Sequence, residues 1–364
     1  MTEHFPAASA DFGKHIERVE RYLMQHSIPG RSEAEIRLNL PFELAASSQV
    51  PYRGKFLLIH GLNDSAYVWT DMAQALSDRG FEVRAILLPG HGSDPRKMLD
   101  VSFKQWLRSV RSHYQYWRVD GTPIYIGGFS LGGVLATILA QEKPEISGLL
   151  LISPAYHSQL NSLLRWSGIY AWFKPWMFGG MITEDNPVKY NSIPINSGTQ
   201  YFNTTTYLKN LWRNNKNKYL RERLSMPVMM VVTANDSVVD IEYSRYVFNR
   251  HFPNSQSRFL IYQQTKTTTK PREVVRSGHY PKRRILNLSH LSLLNAPHNP
   301  LFGENGSILV CNGNKYPVYR ACMQARAHWF GAQHTPSPDG VAVARTTYNP
   351  DFAYLPELFD QVFR

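Results

Sequence analysis

From Lys55 to Pro154 the chain alternates short apolar runs with longer amphipathic ones: KFLLIH, AYVWTDMAQALSDRG, FEVRAILLPG, SFKQWLRSVRSHYQYW, PIYIGGFS, LGGVLATILAQEK and ISGLLLISP. A short run with no polar face must be covered on both sides, as a strand in the middle of a parallel sheet is. The intervening runs place apolar residues at helical spacing and supply the cover. This pattern predicts βαβαβαβ, hence an α/β fold with a doubly wound, mostly parallel sheet. Ser102 is placed to cap the helix of Phe103 to Trp117, and Gly80 to stop the helix before it.

After Pro154 the alternation stops. Residues 155–225 are rich in large aromatics, with Trp166, Tyr170, Trp172, Phe173, Trp176, Phe178, Tyr201, Phe202, Tyr207 and Trp212, and read as a cap inserted into the sheet domain. The alternation resumes with PVMMVVTAND and IEYSRYVFNRHF. Three parts are therefore expected: residues 1–154 as the first part of the core, 155–225 as the cap, and 226–364 as the rest of the core. Within the last part, 263–284 is polar and basic and reads as a long surface loop or a small added hairpin. ILNLSH follows as an expected last strand, and NPDFAYLPELFDQVF as an expected terminal helix.

Composition narrows the function classes. The formal net charge is +12, which favours anionic partners, yet only 19% of residues are charged while 13% are aromatic. That balance fits an enzyme with an apolar cleft better than a nucleic-acid-binding tail. No run approaches the roughly 18–20 apolar residues that span a bilayer. The start, MTEHFPAASADFGKHIERVERYL, lacks the basic, apolar and small-residue regions of a secretory signal, so a cytoplasmic protein is expected. Cys311 and Cys322 are close enough to be bridged, but a chain of this size needs no such staple, and two reduced thiols are the expectation.

The chemistry centres on Gly128-Phe129-Ser130-Leu131-Gly132, a G-x-S-x-G pattern. The pattern alone is weak; its context, between an apolar strand and a run of helix formers, strengthens it. A serine on a sharp strand-to-helix turn lifts its Oγ clear of the backbone. Small neighbours are needed where such a turn is crowded, and the helix N-terminus favours developing negative charge. In LLIHGLND the backbone after Gly61 lies at the carboxyl edge of a sheet, where ligands bind in open α/β folds. The N–H groups of Leu62 and Leu131 are the candidate oxyanion donors. The His60 side chain itself reads as a buried turn residue. In VVTANDSVVD, Asp236 follows a strand and can orient a histidine; its competitor Asp240 begins a helix and reads as a cap.

A histidine is the expected general base, since its ordinary pKa lies near neutrality. It should follow the acid in the chain order Ser, Asp, His. His290, at the end of ILNLSH, is preferred; His279, in RSGHYPKRR, and His298, in NAPHNPLFG, are the alternatives.

Taken in order, LLIHGLND, RAILLPGHGSDP, IGGFSLGG, ANDSVVD and NLSH resemble the α/β-hydrolase superfamily, most closely its acylglycerol lipase and serine-aminopeptidase-like esterase branch. The likeness covers Lys55 to Pro154 and Met226 to Asp240 well, and the His290 region more loosely. It implies Ser130 as nucleophile, Asp236 as acid, His290 as base, Leu62 and Leu131 as oxyanion donors, and Gly90-His91-Gly92 as a structural turn. The long basic stretch between Asp236 and His290 departs from the family's usual gap.

Other chemistries lack their signatures. There is no H-E-x-x-H, paired C-x-x-C or phosphate-binding G-x-x-x-x-G-K-[ST], so no metal or cofactor is expected. The basic run TYLKNLWRNNKNKYLRERL reads as a solvated helix face rather than a nucleic-acid site. The expected activity is hydrolysis of carboxylic esters with an apolar acyl or aryl group, as in a carboxylesterase or acylglycerol lipase. Thioesterase, aminopeptidase or acyltransferase chemistry on the same triad is the alternative, and a non-catalytic binding protein a further one. The expected partner is a small-molecule or lipid ester, with peripheral contact to an anionic membrane also open.

Overall fold

A computed structural model describes residues 4–159, 174–177, 179–214, 224–265, 270–311 and 316–363. Eight strands hydrogen-bond in the order β1-β3-β2-β4-β5-β6-β7-β8. They are β1 (Phe42–Leu44), β2 (Gly54–Ile59), β3 (Phe81–Ile86), β4 (Ile124–Phe129), β5 (Gly148–Ile152), β6 (Val228–Thr233), β7 (Arg258–Gln263) and β8 (Glu273–Ser277). β1 runs antiparallel to β3, whereas β2 with β3 and with β4, β6 with β7, and β7 with β8 are parallel. The mostly parallel α/β sheet expected from the alternation is therefore present. The chain divides into two compact units, one of residues 1–150 and 160–226 and one of 151–159 and 227–364.

In the first unit the helices are α1 (Phe12–His26), α2 (Glu33–Arg37), α3 (Thr70–Ser77), α4 (Phe103–Trp117), α5 (Leu131–Glu142) and α6 (Ile195–Asn214). α4 shows why its sequence is helical. Trp106, Leu107, Val110, His113, Tyr114 and Trp117 form one buried stripe, and Ser102 closes a reciprocal capping box with Gln105. Gly80 ends the preceding helical stretch at φ 86°, with Pro51 O only 2.2 Å from where a Cβ would stand. α5 carries no polar stripe, and Leu131 through Gln141 are buried, as befits a helix with protein on every side. Registers Ile59↔Ile86 and Ile59↔Gly128 bring the carboxyl ends of β2, β3 and β4 to one edge.

The second unit contains α7 (Ile241–His251), α8 (Tyr316–Gln324), α9 (Tyr354–Val362) and a small parallel pair, β9 (Trp329–Gly331) and β10 (Val343–Arg345). The expected terminal helix is α9. β6 is buried at every position.

Three local expectations are corrected. The basic stretch 263–284 is neither a loop nor an added hairpin throughout, because Glu273–Ser277 forms β8, an edge strand parallel to β7. One of its cations is paired from far along the chain: Arg276 makes two hydrogen bonds to Asp351, at 2.8 and 2.7 Å, and lies over the Tyr354 ring at 4.2 Å. ILNLSH is not a strand. Ile285 makes only isolated bridges to Tyr280 and Phe330, and the segment is held through side chains instead. Thr233 Oγ1 donates to Leu288 O at 3.0 Å, and Ser289 Oγ to Thr346 O at 2.6 Å.

The third correction concerns the cysteines: Cys311 and Cys322 are joined as a disulfide. The size of the whole chain was the wrong measure. Locally the bond sits in a small cluster of Cys311, Cys322 and Ala344, flanked by the partly buried Leu309, Tyr319 and Phe330. The disulfide ties α8 to this small cluster. Of the cap aromatics, Trp166, Tyr170, Trp172, Phe173 and Phe178 lie outside the described residues.

Candidate active site

The candidate residues fall into two groups. In the first unit Ser130 joins β4 directly to α5 with φ 54° and ψ −117°. A non-glycine residue at positive φ is strained, and such strain persists only where the surroundings impose it. Two glycines are required for this turn. A Cβ on Gly128 would lie 2.3 Å from Gly132 O, and one on Gly132 would lie 2.1 Å from Ile59 O. α5 therefore starts hard against the end of β2, and the Leu131 N–H belongs to its first turn, where helical donors have no partner within the helix.

Leu62 lies in the turn after β2, one residue beyond Gly61, whose position is 3.1 Å from Ser130 Cβ when a Cβ is placed there. This loop is held from a distant part of the chain. Tyr190 N donates to Asn63 O at 2.9 Å, and Lys189 forms an ion pair with the buried Asp64. Tyr190 OH accepts from Ser93 N at 2.8 Å and donates to Gly90 O at 3.0 Å, so it also secures the Gly90-His91-Gly92 turn. Asp64, Lys189 and Tyr190 were not singled out from sequence. The only local signal was an acid directly after the LLIHGLN run, and its partner lies over a hundred residues away.

His60 is a buried turn residue, as expected. Its Nδ1 donates to Gly61 O at 2.7 Å and its Nε2 accepts from Leu88 N at 3.0 Å. Burial pushes its pKa down to about 3, so the ring is neutral and serves as a backbone brace. His91, packed edge-on at 4.8 Å, is likewise buried and neutral, with its pKa lowered to about 3 by burial.

In the second unit Asp236 and His290 are brought together: Nδ1 of His290 lies 2.7 Å from Asp236 Oδ2. The other carboxylate oxygen accepts the N–H groups of Val238 and Val239, at 2.8 and 2.9 Å. Gln159 Nε2 holds the Asp236 carbonyl at 2.8 Å. Burial of Asp236 opposes its charge, but His290 and the two backbone donors outweigh it, so its pKa lies below the ordinary carboxylate value. An ionised carboxylate only accepts, so Nδ1 of His290 is the donor in this contact. His290 is 5% exposed.

The competing residues have other partners. Asp240 caps α7 by accepting the Tyr243 N–H at 3.0 Å, as read from its position. Nδ1 of His279 donates to a backbone carbonyl, Leu286 O, at 2.9 Å. His298 is exposed.

Among the described residues one cluster has metal-ligand composition: donor atoms of Cys311, Cys322 and His328 lie within 4.8 Å of one another. The sulfurs are bonded to each other, and His328 Nε2 donates to Cys322 O at 2.7 Å. The cluster therefore offers no thiolate.

Comparison with known proteins decides the family. The family model described as "Serine aminopeptidase, S33" matches residues 51–266, more than half of the chain. The chain belongs to this family, within the α/β hydrolases. It is 31% identical over 99 residues to a thermostable monoacylglycerol lipase from Bacillus sp. (strain H-257), a match covering 27% of this chain and 40% of that protein. It is 22% identical over 198 residues to a carboxylesterase from Bacillus subtilis (strain 168), covering 53% and 76%. A solved structure from work on LipS and LipT, two metagenome-derived lipolytic enzymes, superposes with a TM-score of 0.50 at 18% identity, covering 61% of this chain and 86% of that one. At that identity the likeness is one of fold. The matched stretch is thus well under half of the monoacylglycerol lipase and about three quarters of the carboxylesterase.

Proposed function

We propose that this S33-family chain is a serine hydrolase that cleaves carboxylic esters bearing an apolar acyl or aryl group. Ser130 is the nucleophile, His290 the base that takes and returns its proton, and Asp236 the acid that orients His290 and balances the imidazolium. The N–H groups of Leu62 and Leu131 receive the oxyanion. Attack forms an acyl-enzyme and releases the alcohol; water, deprotonated by His290, then frees the acid. The observation that carries this reading is the Ser130 turn. A backbone at φ 54°, crowded by Gly128 and Gly132 at the mouth of a buried helix, has no packing purpose that an ordinary residue would not serve better.

Residues 155–225, with their many aromatics, are proposed as a lid whose apolar walls favour burial of an acyl chain or aryl group. Ester rather than thioester or amide is preferred because the curated relatives matched are named as a lipase and a carboxylesterase.

A fluorophosphonate probe followed by intact-mass measurement tests the assignment. Wild type is expected to gain a single adduct. Ser130→Ala and His290→Ala should remain unlabelled while folded, whereas His279→Ala should label normally. A panel of p-nitrophenyl esters, thioesters and aminoacyl anilides then ranks the substrate classes. Labelling of Ser130→Ala would move the nucleophile to another residue, and no labelling of folded wild type would reject the reading in favour of a binding protein.

A further inference from the structure

α5 has two ends with different chemistry. Ser130 caps its N-terminus, and twelve residues later Glu142 ends it, followed by Lys143. At about 1.5 Å per residue the two ends stand about 18 Å apart. At the Lys143 end a groove of about 750 Å³ opens against α4 and Tyr207 of α6. It lies wholly within the first unit and is remote from the serine.

The groove has an apolar floor and a cationic rim. Leu107 is buried beneath it and Phe103 is half-buried, while Tyr116 stands 51% exposed at its edge. Lys104, Arg108 and Arg111 follow one another along α4 at helical spacing, on the stripe opposite the buried Trp106, Val110 and Tyr114. One of these charges is already spent, because Arg111 makes two hydrogen bonds to Glu142. For Lys104, Arg108 and Lys143 no carboxylate lies within 4 Å among the described residues. Glu145, close enough to feel Lys143, is occupied by a hydrogen bond from Tyr114 at 2.8 Å and by Arg118 at 3.8 Å. Four cations and one carboxylate thus line the groove.

Basic side chains kept unpaired around apolar surface suit an anionic headgroup attached to a chain. Long Lys and Arg stems lie along apolar atoms while their heads meet phosphate. A nucleic acid would call for a longer basic track with stacking rings exposed along it. The +12 net charge adds long-range attraction toward a negative surface. We propose that this groove docks the chain onto anionic phospholipid headgroups in a bilayer, holding the protein where ester-bearing lipid is concentrated.

Co-sedimentation of the full chain with vesicles of phosphatidylcholine, alone or mixed with phosphatidylserine, tests this. Binding is expected only to the mixed vesicles and should weaken with added salt. Each basic residue near an anionic surface is worth about fivefold, so K104Q/R108Q/K143Q should bind about 100-fold more weakly. R250Q/K270Q/K282Q removes the same charge from exposed positions of the other unit and should keep most of the affinity. Should the groove variant melt early, Arg108→Gln alone is expected to lose about fivefold. Equal losses in the two triple variants, no loss in the groove variant, or no binding of wild type overturns the proposal. It is overturned as well if soluble glycerol phosphate or an RNA oligomer binds through these residues while mixed vesicles do not.

Discussion

Nδ1 of His290 lies 2.7 Å from Asp236 Oδ2 in the second unit of the chain, where further hydrogen bonds hold Asp236. Val238 and Val239 fix one carboxylate oxygen through their N–H groups. The remaining oxygen, Oδ2, is the one that meets His290. Such a contact favours the imidazole tautomer that carries its proton on Nδ1.

Replacing the acid by its amide tests that selection. Asp236→Asn preserves shape but presents an NH₂ or a weaker acceptor to Nδ1, favouring the wrong tautomer. If the triad operates as proposed, ester turnover should fall by roughly 10⁴-fold with little change in fold. Steady-state rates beside circular dichroism check it; a loss under tenfold would remove Asp236 from the mechanism.

The depressed pKa of Asp236 makes stability depend on acid. Its folded value lies below its unfolded one, so the unfolded chain binds its proton first as pH falls. The stability it contributes is complete above the unfolded value, near 4, and drains away as pH drops through the folded value. Urea unfolding from pH 6 to 3 should show wild type losing more stability than Asp236→Asn. Parallel curves would mean that the carboxylate is no better solvated in the native state than in the unfolded chain.

Close approach of α5 to β2 predicts intolerance at Gly132. A Cβ there would meet Ile59 O at 2.1 Å and His60 O at 2.6 Å, both backbone atoms that cannot turn aside. Gly132→Ala should cost about 3 kcal/mol or more. Gly121→Ala is a control for an open site, since nothing lies within 4 Å of its Cβ, although its φ of 79° imposes a smaller backbone cost. Thermal melts of the two variants should separate clearly; equal melting temperatures would show that α5 shifts freely.

Loss of the Cys311–Cys322 bond should be felt locally. Closing a loop of this length is worth about 3 kcal/mol against the unfolded chain, and the cluster around it is small. In Cys311→Ala/Cys322→Ala, amide exchange should rise in α8 and β9 while β2, β3 and β4 stay protected. Protection unchanged in α8 would mean that packing alone holds it.

Sequence by itself determined the alternation of β2 through β5 with their helices, because a buried parallel strand is short and continuously apolar, while the helices between are longer and, α5 apart, keep a polar face. It also singled out Ser130, since the glycines on either side answer to a crowded turn of short range. Asp240 was legible as a cap for the same reason, because its partner is a neighbour in the chain, and so was the local half of His60's role, its bond to Gly61, whereas its bond to Leu88 spans 28 residues. Only the tertiary structure decided what depends on distant partners. β8 is a strand because Asp351 and β7 complete a run that is polar in isolation. The segment before His290 is not a strand because Thr233 and Thr346 hold it by other hydrogen bonds. Lys189 meets Asp64, and Tyr190 meets Asn63, Gly90 and Ser93, across about a hundred residues of chain. Periodicity reports which face of an element is buried; it carries no information on which remote residue covers that face or neutralises its charge.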